Sequence, residues 1–385
     1  MAPMFDVVIA GAGVAGSATA IHLARRGRKV LLVDRSAFPR RKACGEGLFP
    51  AGVHELGDLG VLDRLEPATV LEGLRFEGYG LSARAALSDR GGQALGIRRD
   101  LLDAALIEQA KRAGAAVRLA TQASALVPDG KSRFSLLVER ERIEPGAIVA
   151  ADGLHSALRR QAGLGPARRG QRFGVTAHIE LRRPPTPDVE VFFREGFEVY
   201  VTPVGGCIVN VAVLLSRPLT RQLAGAPERF VEQVLSHEHC LPDGWRLLDA
   251  ALVAGPFPVR PRRIYERNLV LAGDAAGFFD GITGEGMSLA LVSARHCAEA
   301  VDEFLSTGSA RPLRRYERLR RSLARNSEIL GRLTLALASR EWTARAALRG
   351  LARRPETFAK LVAVSSGEAR LGSLRPWDVL GLLLS

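Results

Sequence analysis

Three glycine turns in this chain each follow a short apolar run, and each carries the residue types that hold an anion or a polyol. The first is Gly11-Ala12-Gly13-Val14-Ala15-Gly16, with Asp34 standing 18 residues beyond its last glycine. Gly11 permits a tight turn, Gly13 leaves room for phosphates, and Gly16 lets a helix pack closely on the preceding strand. The helix that opens at Ala15 offers free N–H groups to a pyrophosphate. Asp34 can accept from ribose hydroxyls, with Arg35 beside it. The second turn is Asp152-Gly153-Leu154-His155-Ser156, in which Ser156 can cap a helix that carries Arg159. The third begins at Gly273-Asp274, where a strand-end carboxylate can accept from a polyol chain. It runs on to Gly284-Glu285-Gly286-Met287, the start of a long helix. The positive end of that helix would stabilise negative charge on a reduced flavin ring, a charge that a nicotinamide does not develop.

The elements around these turns follow from periodicity. Phe5 to Ala10 and Lys29 to Asp34 are buried strands flanking a helix, one βαβ unit. After Asp34 comes a loop rich in Gly, Pro and cations, Pro39-Arg-Arg-Lys-Ala-Cys44-Gly45-Glu-Gly47, which returns across any bound dinucleotide. Cys44 is either a reactive thiol, its thiolate favoured by Arg40, Arg41 and Lys42, or a small buried filler. Residues 51–66 read as a helix, and 70–97 as short strands. A further helix follows, capped by Asp100 and ended by Gly114, with Arg98 before it placed to reach a phosphate. A strand at Ala116 to Leu119, a hairpin over 132–145 and a strand at Ala147 to Ala151 lead into the second turn. Residues 170–257 change character. Gly174 to Leu181, Val189 to Phe193, Glu198 to Thr202 and Ile208 to Leu215 read as an antiparallel sheet broken by one helix, Glu228 to His237. Phe192, Tyr200, Val211 and Phe279 are the expected wall residues of a substrate pocket. Residues 311–385 are helical, with turns expected at Gly331, at Gly350 with Pro355, and at Gly367.

Bulk properties narrow the class. With 385 residues, 47% hydrophobic and 25% charged, the chain is an ordinary globular protein of more than one domain. No apolar run is long enough to span a bilayer, and no secretory leader precedes the first strand, so a cytoplasmic location is expected. The four cysteines form no CxxC pair, and His237 and His239 lack partner ligands, so no metal is expected. The net charge of +13 comes almost wholly from arginine, because only five lysines are present. Arginine usage, rather than nucleic-acid binding, accounts for most of it. The exception is 311–354, where thirteen arginines face three glutamates and interleave with Leu330, Leu333, Leu337 and Trp342. That pattern suits either a packed bundle with a basic outer face or peripheral contact with anionic lipid.

Taken together, the three turns resemble those of the p-hydroxybenzoate hydroxylase-type flavoproteins, over about residues 5 to 300. The resemblance implies FAD, its ADP half on Gly11, Gly13, Gly16 and Asp34, its ribityl chain on Gly273 and Asp274, and Arg98 as a further contact. It places Asp152, Gly153, Ser156 and Arg159 near the pyrophosphate and associates them with NAD(P)H use. The stretch from Gly273 to Gly286, together with Cys44-Gly45, looks more like the geranylgeranyl reductase branch. However, Tyr200-Val-Thr-Pro203 stands where that branch has Trp-x-Phe-Pro. The halogenase Trp-x-Trp-x-Ile-Pro motif is missing, so halogenation is not expected.

The fold expected is α/β: a Rossmann-like FAD-binding domain in three parts (1–80, 98–169 and 261–310), an interleaved antiparallel-sheet substrate domain (81–97 and 170–260), and C-terminal helices (311–385). The function expected first is an NAD(P)H-dependent monooxygenase acting on a lipophilic, aromatic or polyketide-like molecule of secondary metabolism. The alternatives are a reductase of C=C bonds in a prenyl or other lipid, and a FAD-binding redox partner without turnover. Either a monomer or a homodimer is compatible with the sequence.

Overall fold

The computed structural model describes residues 4–87, 92–130, 132–223, 225–369 and 371–375. The first three and last ten positions of the expected domain ranges therefore lie outside the described residues. Its helices are α1 (Val14–Arg25), α2 (Pro50–Asp58), α3 (Arg99–Arg112), α4 (Ala157–Gln161), α5 (Pro227–Glu238), α6 (Gly286–Thr307), α7 (Arg311–Ala338), α8 (Glu341–Arg353) and α9 (Pro355–Ser365).

The cofactor domain is built on a sheet whose order is Tyr265–Glu266, Leu269–Leu271, Ala147–Ala150, Val7–Ala10, Val30–Val33 and Ala116–Arg118. Val7 pairs in parallel with both Val30 and Ala147. The central strands are continuous apolar runs because both faces are covered. Helices α1, α3 and α6 pack together beside them. The three glycine turns leave the same edge, the carboxyl ends of neighbouring parallel strands, where ligands bind in doubly wound sheets.

A second sheet runs Arg246–Leu247, Pro166–Glu180, Ile208–Ser216, Phe197–Gly205, Asp188–Arg194, Gly73–Gly78 and Leu81–Ala86. Leu252–Pro261, a strand absent from the sequence reading, pairs with Pro166–Glu180. Two expectations change here. Gly73–Gly78 belongs to this sheet, so the substrate domain begins before residue 81. It also joins Asp188–Arg194 in parallel, so the sheet is not wholly antiparallel. Strand alternation gives the sheet two faces. Val175, Ala177, Phe192, Val199, Val201, Val211 and Val213 pack with Phe230, Val231 and Leu235 of α5. Residues of the opposite phase, including Val191, Phe193, Tyr200 and Ala212, line a cavity.

Gly331 and Gly350 do not make turns; they lie inside α7 and α8. At Gly331 a Cβ would come within 2.7 Å of the Phe279 ring, so the glycine serves close packing. The helix breaks fall instead at Ser339-Arg340 and at Arg354, before Pro355. Among the described residues no helix is long and apolar enough to cross a membrane.

Candidate functional site

One cavity of about 350 Å³ extends from the three glycine turns to the C-terminal helices. At the first turn, the sequence leaves only backbone where side chains would collide. Gly11 has φ +107°, and a Cβ there would meet the Ala151 carbonyl oxygen at 2.2 Å. A Cβ on Gly16 would lie 1.8 Å from the Gly11 carbonyl oxygen. Gly13, the N-cap of α1, has open space, its nearest neighbours being the ends of Arg40 and Arg99 at 3.7 Å. No side chain caps α1, so its first N–H groups remain available to a phosphate. Asp34 accepts from the Ala12 N–H at 2.8 Å and the Ser36 N–H at 2.9 Å, which fixes its carboxylate beside the turn. Arg40 approaches Asp34 to 3.6 Å, whereas Arg35 is exposed.

The second turn contributes Gly153 to the cavity wall. Apart from exposed His155, its polar side chains are turned toward α4. Asp152 and Ser156 accept from backbone N–H groups of α4. Buried Arg159 donates to the carbonyls of Leu154 and Ala275. Arg159 thereby braces the second turn against the third. Its own guanidinium does not enter the cavity lining.

At the third turn, Gly273 takes φ +57°, and a Cβ there would press on Ala15 at 2.8 Å. Asp274 faces the cavity 3.1 Å from the Lys42 ammonium. Burial alone would raise its pKa, but Lys42, with Arg99 and Arg320, holds the carboxyl below the usual range. Gly284 (φ +68°), Glu285, Gly286 and Met287 line the cavity at the start of α6, again without a side-chain cap. Glu285 is buried and accepts from Ser365 of α9 at 2.5 Å; burial pushes its carboxyl up to about 7.

The Cys44–Gly47 loop forms the facing wall. Burial raises the Cys44 thiol, opposed by Arg99. Of the two readings of Cys44, activation by the loop's own cations finds no ion pair to support it, because each is engaged elsewhere: Arg40 with Asp34, Arg41 with Asp249, and Lys42 with Asp274. Arg98 is likewise corrected. It pairs with Asp100 on its own helix, and its backbone rather than Asp100 caps α3. Arg99 is the arginine in the cavity wall, anchored bidentately by Asp103.

Among the four expected substrate-wall residues, Tyr200 lines the cavity and donates to the Ile282 carbonyl at 2.9 Å. Phe192 and Val211 point the other way, into the α5 core. A one-residue error of phase inverts a strand's faces, and Val191, Phe193 and Ala212 take their places. Phe279 abuts Gly331 while its neighbour Phe278 faces the cavity. The far arm is apolar: Leu330, Leu333 and Leu337 of α7, Leu348 and Leu351 of α8, and Phe358 and Val362 of α9.

A polar line beneath the loop escaped the sequence reading. Glu46, at φ +59°, accepts from the Arg99 N–H at 2.7 Å and the Asn210 amide at 3.2 Å. Its Oε2 lies 2.7 Å from His178 Nε2, and His178 Nδ1 lies 2.7 Å from Asp249 Oδ2. Burial alone would lower the His178 imidazole, but Asp249 and Glu46 together push it up to about 9. The only sequence signal was a histidine interrupting an otherwise apolar strand, in phase with Thr176.

Three glycine turns on one sheet edge, a half-buried ribityl-type acceptor and an uncapped helix start fit FAD. They define a flavin oxidoreductase of the p-hydroxybenzoate hydroxylase type. Residues 4–328 match a family described as FAD binding domain, and the chain belongs to it. It is 32% identical over 324 residues to a menaquinone reductase of Mycobacterium tuberculosis, covering 77% of this chain and 76% of that one. It is 28% identical over 341 residues to digeranylgeranylglycerophospholipid reductase 1 of Methanothermobacter thermautotrophicus, covering 82% and 81%. The flavin-dependent brominase Bmp2 has the same fold, with a TM-score of 0.84 at 17% identity over 98% of this chain and 97% of that one.

Proposed function

We propose that this FAD-dependent oxidoreductase reduces a C=C bond in the hydrocarbon chain of a lipid-like, quinone or prenyl substrate. The observation that carries this reading is the continuity of one cavity from Asp274 and the α6 start to the apolar arm between α7, α8 and α9. A compact polar aromatic would leave that arm unfilled, whereas a long apolar chain gains by burying itself there, roughly 25 cal/mol per Å². The names of the two reductase relatives point the same way. The reductive reading therefore moves ahead of hydroxylation.

FAD would be held by Gly13, Asp34, Arg99, Gly273, Asp274 and the α6 N-terminus, and when bound would supply the hydride. NAD(P)H, or a reducing partner protein, would recharge it. The chain's own residues orient and exclude. Asp274 and Lys42 fix the middle of the cofactor site, the α6 dipole favours negative charge beside Gly284, and the leucines of α7 and α8 keep water from the reacting chain. Cys44 and Glu285 face the same space. Trp342, 65% exposed on the basic C-terminal face, offers an anchor by which a substrate-bearing membrane could be approached.

Hydroxylation remains a second reading, favoured by Tyr200-Val-Thr-Pro203 in place of the reductase Trp-x-Phe-Pro. One experiment separates them. Purified yellow protein is bleached anaerobically with NADPH, NADH or dithionite, then mixed with a polyprenyl quinone or geranylgeranyl lipid. Rapid recovery of flavin absorbance with a saturated product supports the reductase. Recovery only with O₂, with an oxygenated product, establishes the monooxygenase.

A further inference from the structure

Glu46, His178 and Asp249 come from three separate segments and meet in one line. Glu46 borders the cavity. Asp249, with a side chain 20% exposed, lies at the other end, and His178 is buried between them. A neutral imidazole carries one N–H and could serve only one of its two carboxylate neighbours; the imidazolium serves both. The charged groups facing this line are few. Arg41 pairs with Asp249 at 2.5 Å, and Arg99 donates its backbone N–H to Glu46 while its guanidinium lies by Cys44. Asn210 adds a neutral N–H. Of the other carboxylates at the cavity, Asp274 pairs with Lys42 and Asp280 with Arg172, while Glu285 accepts from the Ser365 hydroxyl. Glu46 is the one joined through a histidine to a partly exposed acid.

We propose that Glu46, His178 and Asp249 form a proton path from the outer surface to the cavity. This deepens and rests on the reductive reading, because saturating a C=C bond needs one proton for each hydride. The Nε2–H bond of His178 breaks and its proton joins Oε2 of Glu46. That O–H bond then breaks as the proton passes to an acceptor in the cavity. Each electron pair stays on the atom that gave the proton, and the ring is left neutral with its Nδ1–H on Asp249. Asp249 takes a proton from water, and a half-turn of the ring presents the emptied nitrogen to it and restores the imidazolium. No further reactant is consumed.

The path is tested without an organic substrate, so its failure is separable from failure of the proposed reaction. In the full chain with ¹⁵N-labelled histidine, both His178 ring nitrogens should be protonated at pH 7. Asp249→Asn, which keeps an oxygen for the His178 N–H, should lower the ring's midpoint. A neutral ring at pH 7 in the native chain overturns the proposal. In the FAD-loaded chain, anaerobic reduction by the methyl viologen radical cation, which gives up electrons and no protons, takes up a proton that an indicator dye reports. Asp249→Asn should slow that uptake at least tenfold, with added imidazole buffer restoring it. His178→Gln, whose amide can still bridge both acids, should slow it as much. Native rates in either variant, or slow uptake in Asp249→Asn that imidazole does not restore, overturn the path and leave only a structural brace.

Discussion

At its cofactor end the cavity is walled by backbone and fixed charge; at its far end it is walled by the side chains of three helices. The first wall is intolerant atom by atom, since a Cβ at Gly11 or Gly16 would overlap a carbonyl oxygen. The second is a set of interchangeable apolar groups whose sum matters more than any member. One end of the cavity therefore fixes which cofactor is held, while the other presents an apolar surface that, on the proposed function, takes the substrate chain.

The largest effect should come from the intolerant wall. Gly16→Ala should abolish FAD binding and cost more than about 4 kcal/mol of stability, because neither backbone partner can retreat. Flavin retention and thermal unfolding check this; a yellow, stable variant would break the contrast between the two ends. Leu333→Glu places a charge in the apolar arm. It should leave FAD bound yet lower kcat/KM for a long-chain substrate roughly 100-fold, the equivalent of ~3 kcal/mol. Equal loss of FAD would show that the ends are not separable. Asp274→Asn should weaken FAD affinity by roughly tenfold to a hundredfold, as expected for a charged hydrogen-bond acceptor worth about 1.5–3 kcal/mol, read by fluorescence titration.

Glu285 supplies a pH test. Its folded-state value, about 7, lies above its ordinary value of 4.5. The native state therefore holds a proton that the unfolded state releases. The associated stability is complete below about 4.5 and is lost as pH rises through about 7. Glu285→Gln should flatten that decline and gain up to about 3 kcal/mol at pH 8, at ~1.36 kcal/mol per unit. Denaturant melts at pH 5 and pH 8 check it; an unchanged slope would sink the assignment. The smallest effect is expected at Trp342. Trp342→Ala should change stability by less than about 0.5 kcal/mol and leave FAD affinity intact, while reducing sedimentation with anionic vesicles. Unchanged sedimentation would remove the membrane contact.

Legibility in the sequence followed the same division. The turn at Gly11 to Gly16, the acid at Asp34 and the pair Gly273-Asp274 could be read directly, because local backbone chemistry demands those residues at those spacings. Arg98 and Arg99 are neighbours in sequence, and only helix phase decides that Arg99 faces the cavity. Phe192 and Val211 differ from Phe193 and Ala212 in the same way, since alternation gives two faces and no local signal says which one meets the cavity.

By itself, then, the sequence determined the cofactor end, where each element is satisfied within one βαβ unit or one strand–turn–helix step. Only the tertiary structure decided that Leu333, Leu348 and Phe358 share a cavity with Asp274, and that Glu46, His178 and Asp249 form one line. Those contacts join residues scores to hundreds of positions apart. They exist because the large sheet and the C-terminal helices close over the flavin site, a consequence of packing rather than of any local pattern.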